Sequence, residues 1–219
     1  MYINDSQGKR MMQVLSTESG ANTNKLLSQG RLIVLTGPSG VGKGTLMRLL
    51  LSRHPELNYS ISATTRSPRP GEVDGKDYYF INRSKFQRLI SEGEFLEWAE
   101  FAGNLYGTPR KPVIDLMKSG KSVLLEIELE GARQIRATFP ELLSIFILPP
   151  TFNELEKRIR GRKKDSEEAI SRRLKRAKEE IDSASEFQIQ IVNDNLETAA
   201  HDIEVAMFSE DELLRSTAS

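Results

Sequence analysis

Short apolar runs alternate with stretches of helical periodicity along most of this 219-residue chain. Runs of strand length lie at residues 32–35, 123–127, 144–148 and 189–192. Between them, apolar residues recur at spacings of three and four, which is typical of helices. Strands that alternate with helices predict βαβ units. We therefore predict an α/β fold with a central, mostly parallel sheet flanked by helices.

The polar pattern indicates where two of the helices begin. Ser84 and Gln87 have the spacing of a capping box, and Gly93 is placed to end that helix. Asp165 and Glu168 have the same spacing before a second helix. The apolar residues of the second helix form one narrow stripe and predict its buried face. They are Ile170, Leu174, Ala177 and Ile181.

Three segments depart from the βαβ rhythm. Residues 1–29 are polar and lack the apolar centre of a secretory signal, so we expect a disordered extension before a domain at residues 30–208. Residues 60–110 are rich in Thr, Pro, Gly and aromatic residues and predict a small subdomain inserted beside the sheet. We assign residues 209–219 to a C-terminal tail.

A glycine-rich segment follows the first predicted strand and precedes a helical stretch. It consists of Gly37, Pro38, Ser39, Gly40, Val41, Gly42, Lys43, Gly44 and Thr45. Glycines let consecutive backbone N–H groups converge on an anion, and the following helix aims its free N–H groups at the same point. Lys43 adds a full positive charge for the outer phosphates. This context predicts binding of a nucleoside triphosphate, here ATP.

A basic segment lies near the end of the domain. Residues 156–180 hold eleven Lys or Arg residues and six Asp or Glu residues. Such a run is compatible with a solvated surface or with nucleic-acid binding. Combined with a phosphate loop, it favours a mobile basic lid, at residues 151–180, that closes over phosphates.

Composition excludes several other kinds of site. Lys plus Arg and Asp plus Glu both number 31, so no net charge recruits nucleic acid. The chain has no cysteine, and its two histidines, His54 and His201, are far apart, which excludes disulfides, thiolate zinc sites and histidine-rich metal sites. No apolar stretch approaches the length of a membrane span. We expect a cytoplasmic protein without nucleic-acid or membrane partners, and nothing in the sequence indicates an oligomer.

Two arginines lie in a proline-rich part of the predicted insertion. Arg66 and Arg69 are three residues apart, and prolines stiffen the segment around them. A guanidinium fork matches two oxygens of a phosphate dianion. In isolation, two exposed arginines or a ligand for a proline-binding module would be the favoured interpretation. Beside a phosphate loop and two tyrosines, we favour a site for an acceptor phosphate.

The segment from Ser60 to Phe80 resembles the guanylate kinase family, and the resemblance extends over about residues 31–208. It continues in the family's order through Phe95-Leu96-Glu97-Trp98, Tyr106-Gly107-Thr108, Gly131-Ala132, Ile147-Leu148-Pro149-Pro150, Gly161-Arg162 and Ile191-Val192-Asn193-Asp194. The resemblance implies a phosphate-loop kinase with a GMP-binding subdomain and a lid.

The resemblance also implies which residues bind the substrates. Guanine presents two adjacent donors that a carboxylate accepts, whereas adenine presents an acceptor at N1. The resemblance gives this role to Glu97. The other implied GMP-binding residues are Ser62, Arg66, Arg69, Glu72, Tyr78, Tyr106, Thr108 and Glu128. Asn193 joins the phosphate loop in the implied ATP site. The implied catalytic cations are Lys43, Arg158, Arg162 and Arg173.

Two places depart from the common pattern near the expected Mg²⁺ ion. The residue after the loop lysine is usually Ser or Thr, but here it is Gly44, with a hydroxyl one place later at Thr45. The family often has Asp where Glu126 and Glu128 stand, so each carboxylate reaches one methylene further. We expect phosphates and water to hold Mg²⁺, with Thr45 and Glu126 in direct or water-mediated contact.

We therefore predict transfer of the γ-phosphoryl group of ATP to GMP, with dGMP as an expected second acceptor. A non-catalytic interaction module of the same fold is one rival, but it has no reason to retain both the phosphate loop and the lid arginines. A GTPase is another rival. Its Asp-x-x-Gly motif is only approximated by Glu128-Leu129-Glu130-Gly131, and Val192-Asn193-Asp194 is not an Asn-Lys-x-Asp motif.

Overall fold

The computed structural model describes residues 30–101, 103–161 and 166–217. Its strands are β1 (Leu32–Thr36), β2 (Asn58–Tyr59), β3 (Ala63–Thr64), β4 (Tyr79–Phe80), β5 (Phe95–Phe101), β6 (Asn104–Pro109), β7 (Val123–Glu126), β8 (Leu143–Leu148) and β9 (Ile189–Val192). Five of them form a parallel central sheet in the order β2-β7-β1-β8-β9. The four strands predicted from apolar runs are confirmed as members of this sheet.

Seven α-helices connect or flank the strands in the described residues. They are α1 (Lys43–Arg53), α2 (Arg83–Ser91), α3 (Arg110–Lys118), α4 (Leu129–Thr138), α5 (Phe152–Arg160), α6 (Glu167–Asp182) and α7 (Leu196–Thr217). Residues 209–217, which the sequence assigns to a tail, continue α7. Within the described ranges, no helix has the length and apolar character needed to cross a membrane.

The central sheet is covered on both faces, which explains why its strands read as continuous apolar runs. In β1, Ile33 and Leu35 belong to a core that includes side chains of α1, α5, α6 and α7. Leu32 and Val34 belong to the opposite core, with side chains of α3 and α4. Because successive side chains of β1 are buried in opposite cores, the end of this strand is held rigidly at the middle of the sheet. The glycine-rich loop begins there.

A second, four-stranded sheet has the order β4-β3-β6-β5 and lies within the stretch that the sequence predicts as an insertion. It has its own apolar cluster, formed by Ala63, Phe86, Phe95 and Leu105. The rings of Phe86 and Phe95 stack with their centroids 4.4 Å apart. This cluster fixes α2 against the sheet, and β5 forms one edge of it.

The start signals of two helices are one or two residues away from their predicted positions. Asn82, not Ser84, caps α2, because its side chain accepts a hydrogen bond from the Lys85 N–H while its backbone is extended. Ser84 instead donates to the Asn82 side chain at 2.8 Å. Ser166 caps α6 through the Ala169 N–H, and Asp165 lies outside the described residues. The apolar stripe of α6 is confirmed, because Ile170 and Ala177 are buried and Leu174 and Ile181 pack against the same core.

Candidate active site

One open cavity of about 430 Å³ lies where the two sheets meet. The carboxyl end of the central sheet forms one wall, which is the usual position of ligand sites in parallel α/β sheets. The small sheet forms the opposite wall. Predicted site residues that line the cavity are Pro38, Ser39, Gly40, Gly42, Lys43, Gly44, Thr45, Ser62, Arg66, Arg69, Tyr78, Glu97, Tyr106, Glu126 and Glu128. The fold therefore brings residues from distant parts of the sequence to one space.

The glycine-rich loop has the backbone that its sequence predicts. Gly42 has φ 106°, in the left-handed region that favours glycine, and it caps the start of α1. A Cβ at Gly42 would lie 2.5 Å from the Asn193 amide nitrogen. That buried amide donates a hydrogen bond of 2.8 Å to the Val41 carbonyl oxygen. Asn193 thus supports the loop from behind and does not line the cavity.

Three cationic side chains contact the loop. Lys43 Nζ donates to the Gly37 carbonyl oxygen at 2.5 Å. Arg173, on α6, donates to Ser39 Oγ at 2.9 Å. Arg158, on α5, donates to the Val41 carbonyl oxygen at 3.4 Å and to that of Asn193, outside the loop, at 3.1 Å. The two arginines approach from helices that the sequence assigns to a lid, and Arg162 lies outside the described residues.

On the small sheet, an ion pair orients the Arg66 guanidinium. Both Glu72 oxygens accept from it, at 2.8 and 2.9 Å, and one also accepts from the Arg69 backbone N–H at 2.6 Å. The hydrogen bonds from the Arg66 side chain have the largest effect on Glu72, and the Arg69 N–H has the next largest. Together they lower the pKa of Glu72 to about 2. The guanidinium also lies 5.4 Å from the centre of the Tyr78 ring, and the Tyr78 and Tyr106 rings meet edge-on. Glu72 therefore fixes an arginine and does not itself line the cavity.

Glu97 is a buried carboxylate at the wall of the cavity. It is only 5% exposed, and the Thr108 hydroxyl donates to its Oε1 at 2.6 Å. Burial raises the pKa of Glu97 to about 7, although hydrogen bonds from Thr108 act in the opposite direction. Thr108 is itself fully buried. Thr108 holds Glu97 in place. It does not line the cavity, although the family resemblance implies that it binds GMP.

Two further carboxylates that line the cavity are Glu126, the last residue of β7, and Glu128, just after the strand. A Cβ at Gly44 would lie 3.5 Å from the Glu126 carboxylate. Burial raises the pKa of Glu126, while the Lys43 charge lowers it to a smaller extent. Glu128 Oε2 is buried and has no hydrogen-bond partner in the described structure. The missing side chain at Gly44 thus leaves space that the longer Glu126 side chain occupies.

Arg48 and Tyr59 also line the cavity and are not among the site residues predicted from the sequence. Arg48 Nη2 donates to Thr45 Oγ1 at 3.3 Å. Its position four residues after Gly44 on a helix places both on one face, a signal that was available in the sequence. Tyr59 is at the end of β2, a strand of two residues that no periodicity reveals.

The parallel sheet, the glycine-rich loop after its central strand and the helix that starts at Lys43 define a nucleotide-binding α/β protein of the phosphate-loop class. Comparison with known proteins then gives the family. The family model for guanylate kinase matches residues 29–210. The chain belongs to the guanylate kinase family, and the resemblance found in the sequence is confirmed.

Individual relatives agree with the family model over nearly all of the chain. The guanylate kinase of Trichormus variabilis is 71% identical over 198 residues, which are 90% of this chain and 100% of the relative. That of Synechococcus elongatus is 61% identical over 183 residues, 84% of this chain and 100% of the relative. The crystal structure of guanylate kinase from Anaplasma phagocytophilum matches with a TM-score of 0.70 at 38% identity, over 84% of this chain and 87% of that chain.

Proposed function

We propose that this protein transfers the γ-phosphoryl group of ATP to GMP, producing ADP and GDP. The observation that carries the proposal is the shared cavity, which the phosphate loop with Lys43 lines at one end and the Glu97 carboxylate lines at the other. One end suits a triphosphate and the other suits a base with two adjacent donors. The family name of the closely similar relatives supports the same reaction.

The small sheet is the proposed GMP site. Glu97 accepts the N1–H and N2–H donors of guanine, which adenine cannot offer together. Ser62 and Glu128, both at the cavity wall, supply further polar contacts. Arg66, held by Glu72, presents its guanidinium to the GMP phosphate, with Arg69, Tyr78 and Tyr106 beside it. dGMP fits the same base and phosphate contacts and is a proposed second acceptor.

The loop is the proposed ATP site, and its cations follow the charge that moves during transfer. The transition state is loose, with negative charge on the equatorial oxygens of the phosphoryl group. Lys43 already lies within the loop, Arg158 donates to the Val41 carbonyl oxygen, and Arg173 donates to the Ser39 hydroxyl. These charges stabilise the transferring group by position and electrostatics. The attacking GMP oxygen is already anionic, so no residue is required as a general base.

The residues near Gly44 fit a magnesium ion that is bound mostly by phosphates and water. The described residues contain no group of three or more metal-ligating side chains. Mg²⁺ keeps several waters and takes one or two protein oxygens at kinase sites, and the Glu126 carboxylate and Thr45 hydroxyl line the cavity there. When bound, Mg²⁺ would neutralise charge on the triphosphate oxygens. Glu126 and Thr45 would orient it, directly or through water.

Closure of the cavity is part of this proposal. Helices α5 and α6, which carry Arg158 and Arg173, act as the basic lid, and the small sheet moves with bound GMP. Closure excludes water and so suppresses hydrolysis of ATP. We place the activity in the cytoplasm, where both nucleotides are free in solution, with no nucleic-acid partner.

The test is a coupled assay of ADP release with ATP and Mg²⁺, in which GMP, dGMP, AMP, UMP and CMP are offered separately. We expect turnover with GMP far above that with AMP, UMP or CMP. Equal rates with GMP and AMP, or ADP release that no acceptor increases, would contradict the proposal. Lys43→Met, which removes the loop cation, is the inactive control for contaminating kinases.

A further inference from the structure

Besides the apolar packing of Leu96 in the cluster that includes Ala132 and Ile135, helix α4 makes two contacts with β5 that bear on Glu97. At the first, a Cβ on Gly131 would lie 2.2 Å from Glu97 Oε2, so the carboxylate packs directly on the helix backbone. At the second, the Gln134 side-chain amide accepts a hydrogen bond of 3.1 Å from the Trp98 N–H and donates one of 2.8 Å to the Trp98 carbonyl oxygen. Gly131 and Gln134 are three residues apart and therefore lie on the same face of the helix.

These contacts occur at a free edge of the small sheet. β5 pairs with β6 on one side only. In an antiparallel pair, alternate residues direct their N–H and C=O groups away from the partner strand. The amide of Gln134 satisfies both of these groups at Trp98, much as the next strand of a sheet would. The edge strand is thereby bonded to a helix that packs on the central sheet.

Trp98 directly follows Glu97, so fixing its backbone also fixes the point from which the Glu97 side chain extends. Thr108 holds one carboxylate oxygen, Oε1, from within the small sheet. The other oxygen, Oε2, lies against Gly131 of α4. A displacement of β5 from α4 would therefore turn or shift Oε2 relative to the cavity while leaving the Thr108 contact in place.

We propose that Gln134 is a positioning residue for the guanine-binding carboxylate. This inference rests on the proposed GMP kinase function. The two hydrogen bonds of Gln134 set the distance between β5 and α4, and that distance places both oxygens of Glu97 for the two adjacent donors of guanine. Gln134 does not itself touch the substrate. Its role is to align the Glu97 carboxylate with guanine, in addition to covering the edge of β5.

The test replaces Gln134 with Leu, which keeps the approximate size of the side chain and removes both hydrogen bonds. Kinetics are measured with GMP and with inosine monophosphate, which lacks the 2-amino donor of guanine. We expect the KM for GMP to rise about tenfold or more, since small misplacements in a site have large effects. The KM for ATP should stay unchanged, and the preference for GMP over inosine monophosphate should shrink. Gln134→Asn, which keeps an amide that is too short, should change both quantities in the same direction and serves if the Leu variant does not fold.

Two controls separate positioning from loss of stability. Gln87→Leu makes the same chemical change at an exposed position of α2 and should alter nothing. Ile135→Val, in the buried face of α4, weakens the packing of the same helix without touching the amide. If Ile135→Val, at a comparable loss of melting temperature, reproduced the change in GMP preference, the role of Gln134 would be structural only.

The outcome for this inference is separate from that for the proposed function. If the unmodified chain transferred no phosphoryl group to GMP, the proposed function itself would be wrong. If the unmodified chain used GMP well and the Gln134 variants kept both the KM for GMP and the preference over inosine monophosphate within twofold, only the positioning role would be wrong.

Discussion

Two acidic residues of the small-sheet region, Glu72 and Glu97, have pKa values shifted in opposite directions because their neighbours differ. Glu72 is paired with Arg66, and its pKa falls to about 2. Glu97 is surrounded by the small sheet and α4, and burial raises its pKa to about 7. The first carboxylate is ionised at any physiological pH, whereas the second sits close to its titration point. The acceptor site therefore contains a group whose charge state changes in the neutral range.

Replacing Glu97 with Gln should lower kcat/KM for GMP roughly ten- to several-hundredfold, because a buried donor would then face a guanine donor. The KM for ATP should change little. The unmodified protein should also lose kcat/KM for GMP as the pH falls through about 7, where Glu97 becomes protonated. Steady-state kinetics from acidic to alkaline pH measure both effects. GMP titrates identically in both proteins, so a pH profile that Glu97→Gln leaves unchanged would remove Glu97 from base recognition.

We also expect Glu97→Gln to change how the stability of the protein depends on pH. The folded protein holds the Glu97 proton up to a pH of about 7, whereas the unfolded chain releases it near 4.5. Between these values the folded state binds more protons, so this group's contribution to stability falls as the pH rises. Glu97→Gln has no such proton. Its stability relative to the unmodified protein should therefore be higher at pH 8 than at pH 5, as measured by urea unfolding.

Gly44 and Glu126 lie close enough together that a substitution at one should change the effect of a substitution at the other. A Cβ at Gly44 would lie 3.5 Å from Glu126 Oε2, so a Ser hydroxyl there would reach the carboxylate. We expect Gly44→Ser alone to reduce activity, and Glu126→Asp, which withdraws the carboxylate by one methylene, to restore part of it in the double variant. A double-mutant cycle on kcat/KM measures this coupling. Additive losses would mean that the two positions act independently.

At this scale the sequence identifies residue types well but not which residues touch substrate. Lys43 follows from the glycine-rich motif, Arg66 from the proline-rich segment and Glu97 from the family resemblance, and all three line the cavity. Thr108 and Asn193 were assigned to substrates by resemblance, but their side chains bond to Glu97 and to the Val41 carbonyl oxygen. A motif marks a position near the site, whereas the direction of a side chain depends on neighbours that are distant in sequence.

Among the elements, α6 connects both walls of the cavity. Its Arg173 bonds to Ser39 in the phosphate loop. One turn further, the Arg176 guanidinium lies 4.7 Å from the centre of the Phe101 ring at the end of β5. Arg176 also forms an ion pair of 2.8 Å with Glu180, whose side chain is 4% exposed. A shift of α6 would therefore change its contacts with the phosphate loop and with the small sheet at the same time.

Replacing Arg176 with Met should destabilise the protein by about 1–3 kcal/mol at pH 8, because the buried Glu180 carboxylate loses its cation. Glu180→Gln in the same chain should recover part of this loss. Burial raises the pKa of Glu180, an effect that Arg176 opposes, so the deficit should shrink towards acidic pH. Urea unfolding of the single and double variants tests it, with Lys175→Met at an exposed neighbour as the control. Equal stability of Arg176→Met and Lys175→Met would contradict the prediction.

How well elements were predicted depended on their length and on what covers them. Strands of four to six residues that are buried on both faces, such as β1 and β8, follow from apolar runs alone. Strands β2, β3 and β4 have two residues each, too few for any periodicity to appear. Helix starts were misplaced because Asn82 competes with Ser84 for the same cap, and sequence spacing alone does not decide between them.

For the molecule as a whole, the family match begins at residue 29. Deleting residues 1–29 should therefore leave GMP kinase activity and the melting temperature close to those of the full chain. Activity assays and thermal unfolding of the two chains, side by side, make the comparison. A clear loss of either quantity would show that the arm packs on the domain.

The continuous cavity between the two sheets has one more consequence. Two separate nucleotides must each give up their freedom of translation and rotation to bind there, whereas one molecule does so only once. A compound that links adenosine to guanosine through a chain of phosphates would make its second contact at a high effective concentration, provided that the chain spans the gap. We therefore expect such a bivalent ligand to bind more tightly than either nucleotide alone.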